Sequence, residues 1–296
     1  MALDLKDMNL EKKDGGDLKK RIVFTLLFCG LLFSRGYAAE EADVSSRASR
    51  ILNLWCESRV VGNKSFDLDA QVQRAVKGEE APAFHSWDLL LKHVGLAQQD
   101  KKNPPQVKFG ALYVLSESRR RAATHLLELA TGQMVPILGG IQNEGDARLK
   151  RNVGYGDRFR SVMGVMKDAR DMMNSGEELL NENPDRKDFE RLRKYVTDEI
   201  DLYEDVVETS MDRVYAWSSS RDDKRKKKRA EEEYLAAQTK YESAIKQIRV
   251  DLVQERLELL KKHDLDQSRL AHGGNLLDRY AANLIKSEKQ YEEKYL

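Results

Sequence analysis

The sequence predicts an all-α protein: an elongated antiparallel bundle or coiled coil of long helices, with a smaller N-terminal helical region. Charged residues make up 34% of the 296 positions and aromatic residues only 7%, a balance typical of long solvated helices that bury narrow apolar stripes. A row of small or apolar residues also repeats every seven positions, the spacing of paired helices. We term the six side chains of this row the heptad seam: Phe159, Val162, Met166, Ala169, Met173 and Leu180. Gly176 occupies the remaining repeat position, between Met173 and Leu180.

Residues 1–38 have the three parts of a secretory signal peptide. Basic residues at 19–21 precede an uncharged run at 22–33, and small residues follow at Gly36 and Ala38. A helix of that run would span about 18 Å, short of the roughly 30 Å hydrocarbon core of a bilayer. We therefore expect cleavage after Ala38 and an extracytoplasmic location, whether secreted, periplasmic or in the secretory-pathway lumen. The alternative is a buried helix of a cytosolic protein.

Residues 39–103 are predicted to form an N-terminal subdomain of three short helices. The first ends at Gly62 and the second at Gly78, while Ser86 is a candidate cap for the third. The stretch 98–105 is polar and ends in two prolines, a composition that favours a linker. We therefore expect a domain boundary there.

Residues 106–296 are predicted to form the long-helix coiled-coil domain. Its first helix covers 107–131, after which the glycines and proline of 132–140 favour a bend. The helix of the heptad seam follows, and another helix begins at 183–185, where Asn-Pro-Asp suits a helix N-terminus. Two further apolar stripes flank a serine turn at 218–220, so the last part of the chain is predicted to be an antiparallel helical hairpin.

No pattern in the sequence predicts catalysis, a cofactor or a metal site. His85 and His93 are eight residues apart, not the four that would bring two imidazoles to one metal. The sequence has no nucleophile-elbow motif and no glycine loop that would cradle a phosphate. The 51 basic and 50 acidic residues nearly cancel, so no overall field attracts nucleic acid. We predict a non-enzymatic protein without cofactor, metal, small-molecule substrate or nucleic-acid partner.

One cluster has residues suited to binding, and we term it the basic segment: Lys224, Arg225, Lys226, Lys227, Lys228 and Arg229. Two interpretations stay open. The segment is either a solvated helix start whose cations pair with Glu231–Glu233, or a tip that contacts anionic lipid with about 1 kcal/mol per basic residue. The cluster Arg119–Arg121 is smaller and has the same two interpretations.

The long-helix domain resembles a known family in its layout. A helix from Val107, a kinked helix ending near Trp217, the basic segment and a very long last helix are together similar to the three-helix coiled coil of BAR-domain proteins, over about residues 107–296. That family forms crescent dimers that bind and bend membranes from the cytosolic side through basic residues on the concave face and tips. The resemblance implies that the basic segment is the membrane-contacting tip.

Two functions therefore stand as hypotheses. The first is an exported, non-enzymatic spacer, scaffold or interaction component of a surface or envelope assembly, which binds protein partners or a second copy through its helical seams. The alternative is a cytosolic BAR-type dimer that binds and bends anionic membranes. The signal-like segment favours the first hypothesis, and the helix layout favours the second.

Overall fold

The computed structural model describes residues 47–143, 155–181, 183–219, 223–265 and 276–295. Within these ranges the chain is helical and has no β-strand, so the predicted all-α class is confirmed. The predicted leader, 1–38, lies outside the described residues. The helices are α1 (residues 47–61, with a π-helical part at Cys56–Val61), α2 (Leu68–Val76), α3 (Ser86–Gln99), α4 (Pro105–Asn143), α5 (Tyr155–Asn174), α6 (Glu177–Asn181), α7 (Arg186–Ser219), α8 (Lys224–Lys262) and α9 (Leu276–Tyr295).

Helices α7 and α8 form the antiparallel hairpin that the sequence predicts. Five ion pairs of the described residues cross their interface in order: Asp188–Lys262, Arg191–Glu255, Glu199–Arg249, Asp205–Lys240 and Arg213–Glu231. Residue numbers rise along α7 as they fall along α8, which fixes the opposite directions. Helix α7 includes Ser218 and ends at Ser219, the second residue of the predicted serine turn, and α8 begins at Lys224. The start of α8 therefore lies beside the end of α7.

Helices α4 and α5 pack against this hairpin. Phe109, near the start of α4, stacks on Phe189, near the start of α7, with ring centroids 5.2 Å apart. Arg193, near the start of α7, donates to Asn174 at the end of α5 at 2.6 Å. Helix α5 therefore runs opposite to α7, and α4 starts at the end of the unit where α8 finishes. Lys101 and Lys102, just before α4, are thus far from the start of α8.

Residues 46–296 form one compact unit. It contains α1–α3 as well as the long helices, and a single hydrophobic core joins them. Trp87 of α3 donates its indole N–H to Ser175 Oγ at 3.0 Å, and Asn283 of α9 donates to the Val60 carbonyl at 2.8 Å. The predicted linker at 98–105 therefore joins two parts of the same packed unit.

Helix α4 is longer than the sequence predicts. It continues through Gly132, Pro136 and the glycine pair to Asn143, where a bend was expected. Proline removes one helical hydrogen bond and its ring presses on the carbonyl four residues earlier. That carbonyl belongs to Gly132, the residue type whose backbone adjusts most easily. The predicted break at 132–140 is therefore wrong.

The heptad seam closes on the chain itself. Its six side chains are at most 2% exposed, and α5 packs against α4 and α7. The seam does not follow one helix: α5 ends at Asn174, Gly176 has φ +72°, and Leu180 belongs to α6. Because the chain encloses these side chains, a homodimer would need a different surface.

An ion pair between a partly exposed arginine and a buried aspartate ties the start of α1 to α5. Arg47 Nε donates to Asp168 Oδ1 at 2.8 Å, and the Asp168 side chain is fully buried. Burial raises the pKa of Asp168 to about 6, against the opposing influence of Arg47. The folded protein therefore holds a proton on this carboxyl group more tightly than the unfolded chain does.

We expect this group to make stability depend on pH. Because its folded pKa lies above its unfolded value, its contribution to the free energy of unfolding grows as the pH falls through about 6. Between pH 7 and pH 5, wild-type protein should gain about 1 kcal/mol more than D168N. Urea unfolding at both pH values measures the difference, and the neighbouring Lys167 and Asp171 are common to both proteins. An equal pH dependence would contradict the shifted pKa.

Candidate anionic-surface binding site

The basic segment forms the first turns of α8. Asp223 caps this helix, because its Oδ1 accepts from the backbone N–H groups of Arg225 and Lys226 at 3.2 and 3.1 Å. Lys227 is half-buried, and the other five basic side chains are exposed. Six residues of helix rise about 9 Å, so six cations are concentrated in a short length at one end of the hairpin.

Part of this charge is paired within α8. Three exposed ion pairs involve the segment: Lys226–Asp223 at 4.0 Å, Lys228–Glu232 at 3.6 Å and Arg229–Glu233 at 2.8 Å. The hydrogen bond from Arg229 to Glu233 raises the pKa of that guanidinium, and exposed pairs contribute only about 0–1 kcal/mol. Lys224 and Arg225 have no ion pair with any described residue. The predicted pairing with the glutamates therefore holds for two of the six cations.

The position of the segment opposes helix stability. The first turn of a helix carries the positive end of the macrodipole, which disfavours each cation by about 0.3–1 kcal/mol. In Lys228–Glu232 and Arg229–Glu233 the cation also precedes the carboxylate, the less stabilising order. A sequence optimised only for the helix would place carboxylates first. Departures from such local rules concentrate at functional sites.

Two aromatic side chains of α7 lie at the same end of the hairpin. Lys227 Nζ is 4.8 Å from the ring centroid of the partly buried Trp217, a cation–π distance. Tyr215 is 52% exposed. The sequence prediction did not assign either aromatic to the site. The tryptophan next to the serine turn was the available signal.

The smaller basic cluster lies in the interior. Arg119 and Arg120 are 1% and 2% exposed. Arg120 pairs with Glu117 at 2.7 Å, and Arg119 pairs with Glu177 at 2.8 Å. Burial lowers the pKa of Arg119, although Glu177 opposes the shift. Neither of the two interpretations left open for this cluster, a solvated helix surface or a contact with anionic lipid, therefore holds for these two arginines.

The comparisons with known proteins add no assignment. No protein-family model, curated protein or solved structure matches the chain. Among the helices of the described residues, none is long and apolar enough to cross a membrane. Function must therefore be argued from the geometry of this chain.

In the described ranges, one group of side chains brings metal-ligand atoms together: Asp185, Asp188 and His263. Asp188 accepts hydrogen bonds from Lys262 and Arg191. Although burial opposes them, these bonds lower the pKa of Asp188. Lys262 and Arg191 thus already balance the charge of Asp188. We therefore interpret the three side chains as a contact that joins the start of α7 to the end of α8.

A cavity of about 260 Å³ lies between the starts of α4 and α9 and the end of α8. Its lining is mostly apolar, with Asp264 and Asp278 among the lining residues, and both aspartates have partners within the chain. The volume is slightly below the usual range of about 300–1,000 Å³ for ligand pockets. The cavity lies at the opposite end of α8 from the basic segment, so it forms no part of that site.

Proposed function

We propose that the protein is a non-enzymatic helical scaffold that binds anionic phospholipid membranes through the basic segment. The observation that supports the proposal is a run of six cations, five of them exposed, at a helix start that disfavours them. Near an anionic bilayer each basic residue contributes about 1 kcal/mol. Binding of this kind requires acidic lipids and weakens as salt screens the charges.

The residue types favour a membrane over nucleic acid. Four of the six cations are lysines, whose compact charge does not require the two-pronged partner geometry that suits arginine. Single-stranded nucleic acid is bound by grooves in which aromatic rings alternate with cations, and the segment contains no aromatic residue. A run of lysines without a required partner geometry therefore favours the many phosphate and carboxylate groups of an anionic bilayer surface.

The proposal is compatible with both hypotheses for the compartment. If the leader is cleaved after Ala38, the basic segment binds an anionic surface outside the cytosol, as an exported scaffold would. If the chain stays in the cytosol, the same segment binds the inner leaflet, as the BAR resemblance implies. Protein partners of the scaffold stay a prediction in either case.

Vesicle co-sedimentation tests the proposal. The double variant K224Q/R225Q removes the two cations that have no ion pair in the described part of the chain, so no ion pair of the described residues is lost. We expect about 30-fold weaker binding to phosphatidylserine-containing vesicles, from about 1 kcal/mol for each charge. The control K101Q/K102Q removes the same charge from the exposed lysines just before α4, at the end of the unit where α8 finishes, and should bind like wild type.

Three outcomes would overturn the proposal. Equal binding to vesicles of phosphatidylcholine alone would show that anionic lipid is not recognised. Equal losses in the two double variants would show that net charge matters and the segment does not. Tight binding to DNA without binding to vesicles would assign the cations to a different polyanion.

A further inference from the structure

The cations and the two aromatic side chains occupy the same short length of the hairpin. The basic segment covers about the first 9 Å of α8. Tyr215 lies four residues before the end of α7 and Trp217 two, within about 6 Å of that end. Because α7 and α8 are antiparallel, both groups lie at the turn end of the hairpin. Tyrosine and tryptophan with cationic neighbours are the residues typical of membrane–water interfaces.

The carboxylates of α8 come next along the axis. Glu231–Glu233 begin about 10 Å from the helix start, which exceeds the screening length of about 8 Å at physiological ionic strength. A hairpin lying flat on a membrane would bring these glutamates to the anionic surface together with the cations. A hairpin standing on its turn end would bring the cations and aromatics to the surface together with Asp223, whose carboxylate caps α8, and would keep the three glutamates away from it. The order of charge along α8 therefore favours end-on contact.

Trp217 provides a second, independent observation. Its indole N–H is buried and has no hydrogen-bond partner in the described residues. An unpaired buried donor destabilises the folded state, because it has lost its hydrogen bonds to water. If the ring turns from beneath Lys227 into a lipid interface, ester carbonyl groups supply the missing acceptor.

We infer that the hairpin docks end-on, with Trp217 and Tyr215 in the interfacial layer of the bilayer and the basic segment at the level of the lipid phosphates. The inference rests on the proposed membrane function and adds the orientation and the anchoring residues. Amphipathic groups at bilayer surfaces penetrate about 5–10 Å, which matches the length that carries both aromatics. Binding combines charge attraction with insertion of aromatic rings.

Tryptophan fluorescence tests this geometry directly. The chain has three tryptophans, and two of them, Trp55 and Trp87, are only 5% and 1% exposed. Vesicles of phosphatidylserine and brominated phosphatidylcholine quench tryptophans that enter the lipid. We expect a blue shift and quenching of up to about one third of the emission, the share of one tryptophan in three. Bromine near the glycerol end should quench more than bromine deep in the acyl chain.

The outcomes separate the orientation from the proposed function. Vesicle binding without quenching would overturn end-on docking and leave membrane binding intact, whereas absence of binding to anionic vesicles would remove both. The variant W217F should bind more weakly, because the indole anchor is lost, and at lipid concentrations that bind both proteins fully it should lose the quenching. Quenching that persists in W217F would come from the buried tryptophans and would also overturn the inference.

Discussion

Glutamine in place of Glu117 should lower the free energy of unfolding by about 3–5 kcal/mol. The Glu117 carboxylate is fully buried between two buried guanidinium groups, 2.7 Å from Arg120 Nη2 and 3.2 Å from Arg256 Nε. Removing one partner of a buried ion pair leaves uncompensated charge in the interior, which costs about that much. In E117Q, two arginine charges would lose their shared carboxylate.

The effect should be large because this contact joins distant parts of the chain. Glu117 and Arg120 lie on α4 and Arg256 lies on α8, where its Nε–H also donates to the Tyr113 hydroxyl at 3.4 Å. Urea unfolding followed by circular dichroism measures the loss. The control E190Q breaks an exposed pair with Arg186 and should cost less than about 0.5 kcal/mol. Similar losses in the two variants would contradict the buried network.

Alanine at position 176 should destabilise the protein by about 3 kcal/mol. Gly176 has φ +72°, and a Cβ there would lie 2.8 Å from Leu91 Cδ2 and 3.3 Å from Leu115 Cδ1. The left-handed backbone costs a side chain about 1–2 kcal/mol, and pressure on a packed core costs about 1–3 kcal/mol. Both costs arise because this glycine closes the junction between α5 and α6 against α3 and α4.

Gly164 offers a matched control for G176A. It lies within α5, and a Cβ there would meet nothing within 4 Å. G164A should therefore raise the unfolding free energy by about 0.5–1 kcal/mol, the usual gain for alanine over glycine in a helix. Thermal or urea unfolding of both variants gives the comparison. A loss in G164A as large as that in G176A would show that backbone conformation and crowding are not the cause.

Short-range signals in the sequence predicted many of the helix ends. Gly62 and Gly78 follow α1 and α2 with φ of 88° and 74°, conformations that glycine adopts without strain. Other helix ends were missed, among them the end of α5 at Asn174 inside the heptad seam. Helix α4 continues past Pro136, and α8 ends near Asp264, a non-glycine residue with φ 52°. These ends depend on packing between helices, which a local pattern does not contain.

Burial of charge was the part of the fold that the sequence could not predict. A run such as Arg119–Arg121 favours an exposed surface because charged residues are seldom buried unless paired. Arg119 pairs with Glu177, which is remote in the chain. Arg120 pairs with Glu117 one turn earlier in α4, and the same carboxylate also pairs with the remote Arg256. The heptad seam indicated a buried stripe, and the folded unit was needed to show that α4 and α7 cover it.

The candidate site also has one part that the sequence predicts and one part that only the fold determines. Six consecutive basic residues predict an exposed surface from the sequence alone, since no interior could supply six partners. The place of Trp217 beside Lys227 follows from the register of α7 and α8, which only the fold determines. The charge of the site was therefore predictable, and its aromatic edge was not.

The most direct test of membrane binding measures vesicle affinity and unfolding free energy on the same variant, K224Q/R225Q. Removing two cations from the positive end of α8 should raise the free energy of unfolding by about 1 kcal/mol. The same change should weaken binding to phosphatidylserine vesicles by about 30-fold. A higher unfolding free energy together with a lower vesicle affinity would show that the basic segment destabilises its helix and binds lipid. A gain in stability with unchanged affinity would show only a solvated helix start and would contradict membrane binding through the basic segment.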